Sequence, residues 1–251
     1  MLKSLRNNLR PEHRLFRVLR NGVGEVLMVM VGILLALQVN NWNDGRKEGV
    51  RERVFLRGIR TDLELNIVEL DTKITYTENA LRSANVMITY FEGTPVMDLD
   101  SFNFHTIEVL ALYTFHRNNS TFKEMISSGN LGILTDDTLK RELLDMERTY
   151  DQVDGYQEHI RYDYEQFLYD RYFRIADVGV NFKNYAAQKG WSEGKAGSMA
   201  LVDAEVLLQD RAYKNGFALS ILNNNDLVEI LRTVRSTAVR SIERIDRQLK
   251  N

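Results

Sequence analysis

The sequence predicts an all-α protein: one N-terminal transmembrane helix, then an elongated antiparallel helical bundle of three long helices plus short ones. Three observations carry this. The stretch GEVLMVMVGILLALQVNNWND, residues 24–44, is an almost unbroken apolar run. Three later stretches repeat apolar residues at alternating steps of three and four, the spacing of a helix with one buried seam. Only 2 prolines occur in 251 residues, so long helices run uninterrupted.

The apolar run is read first. Val23 to Val39 is about 17 residues, roughly 25 Å as a helix, the short end of the membrane-spanning range. Asn21 and Gly22 extend it on one side, and Trp42 offers an interfacial anchor on the other. A cleaved signal peptide would need small residues before the cut, and Leu37, Gln38 and Val39 after Ala36 make a poor site. A soluble core helix would show a polar outer face, and none appears between Val26 and Leu37. Lys3, Arg6, Arg10, Arg14, Arg17 and Arg20 precede the run, opposed only by Glu12, whereas the charges after it are mixed. That asymmetry predicts residues 1–21 as a cytoplasmic segment, 22–42 as the anchor and 43–251 as an extracytoplasmic domain. The expected place is a bacterial inner membrane, single-pass, with the main domain periplasmic.

Within the span, Glu25 lies near the helix start, where a carboxylate reaches the headgroups and meets the positive end of the helix dipole. Its sharper role is a polar contact between subunits. Gly32 and Ala36 form a small-xxx-small pair that permits close helix packing, and Gln38 adds a polar group. The bilayer is thus one expected partner, and a homo-oligomer or another membrane or periplasmic protein is a second.

These residues carry a resemblance. Gly24, Glu25, Gly32 to Leu34, Ala36 to Gln38 and Asn40 to Asn43, with Arg46 and Lys47 following, resemble the opening of an uncharacterised bacterial family, a domain of unknown function. Its members begin GEI-hydrophobic-GILIALQ-NNWNE-RK. The stretch STFKEMISSGNLGIL, 120–134, is similar to that family's second recurring motif, and Asp44-Gly45 departs from the first. The resemblance implies a single-span membrane protein with a helical outer domain. It implies no activity and no catalytic residue.

In the outer domain, residues 47–92 read as one helix with a seam through Ile67, Leu70, Ile74, Thr77, Leu81, Ala84, Ile88 and Phe91, stopped by Gly93-Thr94-Pro95. Short helices follow near Ser101, behind Asp98 and Asp100, and from Ser120 to Gly129, with Glu124 supporting the latter's start. Thr135-Asp136-Asp137 caps a second long helix to about Ala176, with its seam from Leu139 through Tyr150 and Ile160 to Phe167. Residues 177–200, with Gly179, Gly190, Gly194 and Gly197, read as a loop. A third long helix runs from about Asp210 to Leu249, with its seam from Tyr213 through Leu227 and Leu231 to Leu249. If the second long helix returns along the first, both short helices sit at the far end. The 177–200 loop then lies near the membrane, its Phe182, Tyr185 and Trp191 packing the bundle's end or touching headgroups.

Chemistry-bearing patterns are few. No Cys occurs, which rules out disulfides, thiolate nucleophiles and Cys-ligated metals. The formal net charge of −2 gives no global pull toward nucleic acid, and the arginines after residue 231 are interrupted by acids. GWSEGKAGS is too short for a phosphate-binding loop, has Ala196 where Ser or Thr belongs, and follows no strand. His13, His105, His116 and His159 form no metal-ligating pair, and His159 with Asp163 reads as a surface ion pair. The tyrosine-rich stretch 150–173 offers Tyr162 and Tyr169, seven apart, as aromatics for a protein interface. No cofactor and no metal are expected, and no enzyme. The expected function is a membrane-anchored interaction or scaffold protein. The alternative is a sensory or ligand-binding helical domain that signals through a separate partner.

Overall fold

The computed structural model describes residues 12–194 and 197–250, with side chains from residue 25 onward. Among these every regular element is helical: α1 (Glu12–Phe91), α2 (Leu99–Leu110), α3 (Ser120–Ser127), α4 (Asp137–Tyr164), α5 (Asp170–Ile175), α6 (Val178–Gln188), α7 (Leu201–Gln209) and α8 (Arg211–Lys250). A 3-10 turn at Asn130–Ile133 precedes α4, and a π-helical stretch at Glu165–Tyr169 joins α4 to α5.

The chain divides into two compact units, Met1–Val54 and Phe55–Asn251. The described part of the first is the start of α1, long and apolar enough near the N-terminus to cross a membrane. Its apolar side chains from Val26 to Val39 are exposed, Met28 at 78%. A helix apolar all round needs an apolar environment on every side.

In the second unit, α1 ends in a Schellman turn: Gly93 takes φ 105°, Thr94 N–H donates to Thr89 O at 3.0 Å, and Gly93 N–H to Tyr90 O at 3.1 Å. Pro95 then bars continuation. Asp98, Asp136, Asp177 and Asp210 cap α2, α4, α6 and α8 by accepting from first-turn N–H groups. The start of α3 is held from outside: Thr121 N–H donates to Asp62 Oδ2 of α1 at 2.9 Å. Glu124 of α3 itself was the sequence expectation there.

The core forms where the seams meet. Leu70, Ile160 and Leu231 are buried, as are Leu139, Leu143, Met146, Tyr150 and Val153 of α4. Helix α8 packs along α4 and contributes Phe217, Leu227, Val234 and Ile245. The α1 seam keeps the expected Leu70, Thr77 and Ala84 but is otherwise offset. Its buried line steps through Leu56, Ile59, Leu63, Asn66, Leu70, Lys73, Thr77, Ala80, Ala84 and Met87. Ile67, Ile74 and Ile88 are only partly buried. Asn66 and Lys73 are the cause: they are polar, so an apolar pattern passes over them, yet each is buried against a specific partner. Ion pairs flank the α1–α8 contact, Arg60 to Asp246 at 2.7 Å, Glu78 to Arg232 at 2.7 Å, and Asp71 to Arg235.

Two placements differ from the sequence expectation. First, α3 lies at the Phe55 end of α1, where Thr121 meets Asp62 and Gly58, while α2 stays at the Phe91 end, with His105 beside Ser83 at 3.1 Å. The segment 111–119, a strap without regular secondary structure, connects them, running from Tyr113 beside Lys73 to Thr121 beside Asp62. Second, 177–200 is not a featureless loop. It contains α6, which packs on α2, so this region sits at the Phe91 end of α1 and not at the Phe55 end.

The π stretch rotates α5 relative to α4. Buried positions run Tyr164, Leu168, Tyr172, steps of four that keep the seam inward across the extra residue. Gly216 of α8 makes room for this bulge: a Cβ there would lie 2.5 Å from Leu168 Cδ2 and 3.0 Å from Phe167 Cβ. Replacing Gly216 by Ala gains about 1 kcal/mol of helix propensity but overpacks a fully buried leucine, at a cost of about 1–3 kcal/mol. Gly155→Ala on α4, with nothing within 4 Å of the new Cβ, gains propensity alone. Thermal melts should show Gly216→Ala lowering Tm and Gly155→Ala raising it. If both raise it, the close approach of α8 to the bulge is wrong.

Candidate functional site

The Phe91 end carries an aromatic cup of about 360 Å³. Helix α2 supplies its floor with Ile107 and Leu110. The π stretch and α5 supply Tyr169 and Phe173, stacked at 5.6 Å and 7°. Tyr169 is fixed by donating its hydroxyl to Leu110 O at 2.9 Å. Helix α6 supplies Phe182 and Tyr185. The end of α6 places the last wall: Gly190 takes φ 73°, and Trp191 N–H donates to Ala186 O at 2.8 Å. This second Schellman turn folds Trp191 edge-on against Tyr185, ring centroids 5.7 Å apart. Phe173, Phe182 and Trp191 are exposed at the rim, at 48%, 41% and 62%.

Beneath the cup a buried carboxylate is compensated by a lysine. Glu108 is buried, accepts from the Tyr185 hydroxyl at 2.7 Å, and pairs with Lys189 at 3.0 Å. Lys189 in turn sits over the rings of Phe104, Tyr185 and Trp191 at 5.6–5.9 Å. Burial, then the bond to Glu108, pushes the Tyr185 hydroxyl above its ordinary range, so it stays a donor at neutral pH.

A second site lies under the strap. Amide side chains grip the strap's backbone from both sides. Asn66 of α1 accepts from Asn118 N–H at 2.6 Å and donates to Asn118 O at 2.8 Å and to Tyr150 Oη at 2.9 Å. Gln157 of α4 accepts from Phe115 N–H at 2.7 Å and donates to Phe115 O at 3.2 Å. Backbone groups with no helix or sheet partner need such bonds when buried. Lys73 donates to Tyr113 O, and Tyr76 stacks on Tyr113 with centroids 5.1 Å apart. Between Lys73, the strap and the Asp154–Arg161 turns of α4 is a cavity of about 450 Å³.

The residues singled out from sequence fall as follows. Glu25, Gly32, Ala36, Gln38 and Trp42 all lie on α1, exposed, and nothing stands within 4 Å of a Cβ at Gly32. Helix geometry puts Glu25, Gly32 and Ala36 on neighbouring parts of one face. Tyr162 is 58% exposed, whereas Tyr169 is half-buried in the cup wall. The π stretch, which ends at Tyr169, breaks the seven-residue register that would have set them side by side. His159 lies 3.5 Å from Asp163, but this is not the surface pair expected: Asp163 is buried and accepts from the Asn223 amide at 2.7 Å. No strand precedes Gly190: α6 does, and Lys195 and Ala196 lie outside the described residues.

The family model for a family of unknown function, DUF6090, matches residues 25–185. The chain belongs to this family. No curated protein and no solved structure matches it. The DUF6090 region takes in the apolar start of α1, the strap with Lys73, and the cup as far as Tyr185. Lys189 and Trp191 follow it. The cup was hard to read from sequence, because its members come from four separate segments. The usable signal was local: six tyrosines in 150–173, and a Gly-Trp pair after an apolar helix.

Proposed function

We propose that this DUF6090 protein is a membrane-anchored interaction protein of a bacterial inner membrane. In this reading residues 22–42 span the bilayer and 43–251 form an extracytoplasmic antiparallel bundle. The α1–α8 ion pairs support the antiparallel arrangement, since partners rise in number along α1 as they fall along α8. The observation that carries the function is the aromatic cup. Its lining is nearly all apolar, three rim aromatics stand in solvent, and its one buried carboxylate is already neutralised. Such a concave aromatic surface is the usual seat of the few residues that dominate a protein interface. The occupant we propose is an apolar side chain of a protein partner, because the lining is apolar and its rim aromatics, Phe173, Phe182 and Trp191, stand in solvent as interface anchors do. Self-association through Gly32 and Ala36 of the span belongs to the same proposal.

A photocrosslinking residue at Phe182, in native membranes, tests the cup. One discrete protein adduct is expected, lost with Trp191→Ala in a chain that melts normally. Adducts to lipid alone, or adducts unchanged by Trp191→Ala, would reject the reading. Topology is tested separately. Protease added to spheroplasts should digest the outer domain, and a protected C-terminus would reverse the orientation.

A further inference from the structure

We propose that the cavity between α1, the 111–119 strap and α4 binds a small organic monoanion, a carboxylate held by the Lys73 ammonium. This site is separate from the aromatic cup and stands whether or not the cup docks a partner.

The argument starts from Lys73. Its side chain is only 5% exposed, and none of the ion pairs among the described residues includes it. Its hydrogen bond is to Tyr113 O, whereas an ammonium carries three donors. A charge taken out of water without a counter-charge is costly, and a long side chain at that position could have been apolar instead. Burial pushes this ammonium down only to about 8, so at neutral pH it still carries its proton. A carboxylate beside it would supply the counter-charge, and the cavity has room for one. At about 450 Å³ it falls within the range of small-molecule sites.

The rest of the lining sets the ligand's class. Asp154 lies 3.2 Å from Arg117, which it shares with Asp151 and Glu147, and Glu158 lies 3.8 Å from Arg161; both acids are half or more exposed and screened by water. Lys73 is the one buried lining charge among the described residues, and no carboxylate pairs with it. One uncompensated positive charge selects one negative charge. The two acids close by oppose a doubly charged phosphate more than a carboxylate. Leu112, Phe115 and Ile160 give the ligand's carbon frame an apolar wall.

The test uses the full chain in nanodiscs and equilibrium dialysis of acetate, butyrate, benzoate and benzamide. Benzoate and benzamide share a shape and differ in charge. The expected result is carboxylate binding, with benzoate bound at least about tenfold more tightly than benzamide, as one charge-assisted hydrogen bond provides. Lys73→Met should abolish that preference. Equal binding of benzoate and benzamide, no binding of any carboxylate, or an unchanged preference in Lys73→Met would each overturn the proposal. The benzoate–benzamide comparison is made on the unaltered chain, so it decides the matter even if the variant fails to fold.

Discussion

Leu231→Ala is expected to destabilise the outer domain by about 2–5 kcal/mol, the range for deleting a buried leucine side chain. Leu231 has no exposed surface and lies on the α8 seam between Leu227 and Val234, where α8 packs along α4. The loss has two parts: the transfer energy of the removed methyl groups, and the cavity left where neighbours cannot close in. Leu227 and Val234 are themselves buried and held by the helix backbone, so little collapse is possible there. For a domain of this size the change corresponds to a Tm about 4–20 °C lower, at roughly 2–4 °C per kcal/mol. Leu222, on the same helix and 60% exposed, is the control: Leu222→Ala should stay within about 0.5 kcal/mol. Melts of the full chain in detergent would decide. Similar losses at both positions would mean that α8 presents a different face to the core.

The long helices were legible because one physical signal dominates them. On α4 and α8 nearly every seam position is apolar, so hydrophobic spacing located Leu139 to Ile160 and Leu227 to Leu231 directly. On α1 the same signal led one position aside, because Asn66 and Lys73 occupy buried places that apolar counting assigns to solvent. Both hold the strap, whose irregular backbone has no periodicity of its own to read. The strap also misdirected the topology. Without it, α3 was expected beside α2, when nine residues of irregular chain carry it to Asp62. The π stretch was invisible for a related reason: it shifts register by one residue, which spacing registers only as a slightly ragged seam. That shift turned Tyr169 inward and left Tyr162 outside. In 177–200 three glycines are real turn positions, with φ of 73° at Gly190, 80° at Gly194 and 117° at Gly197, but Gly179 lies inside α6, which Asp177 caps. A cap residue directly before a short amphipathic run was the information available there.

Lys73→Met should make the protein more stable at neutral pH and flatten its response to alkali. In the folded chain burial lowers the Lys73 ammonium from 10.5 to about 8. The sign follows from proton counting. Between those two values the unfolded chain binds more protons than the folded one, so folding stability rises with pH through that window. Below it the full penalty applies, about 3 kcal/mol for a displacement of this size. Roughly 2 kcal/mol of it should be recovered between pH 7 and pH 9.5 in the unaltered chain, and none in Lys73→Met. Buried tyrosines act in the opposite direction and at higher pH. Burial raises Tyr150, Tyr169 and Tyr172 above 10.0, so they cost stability only as the unfolded chain begins to ionise near that value, and they do so equally in both proteins. The difference between the two chains therefore isolates the lysine. At pH 7 the variant also loses the bond to Tyr113 O, worth about 1 kcal/mol, so its net gain is roughly 1–3 kcal/mol. Denaturant titrations at pH 7, 8, 9 and 9.5 would show the profiles converging as pH rises. Parallel profiles would mean that Lys73 is solvated through the cavity, and then no counter-charge is wanting there. Benzoate added at pH 7 should bring the unaltered chain toward the variant's stability, since a bound carboxylate supplies the charge that methionine makes unnecessary.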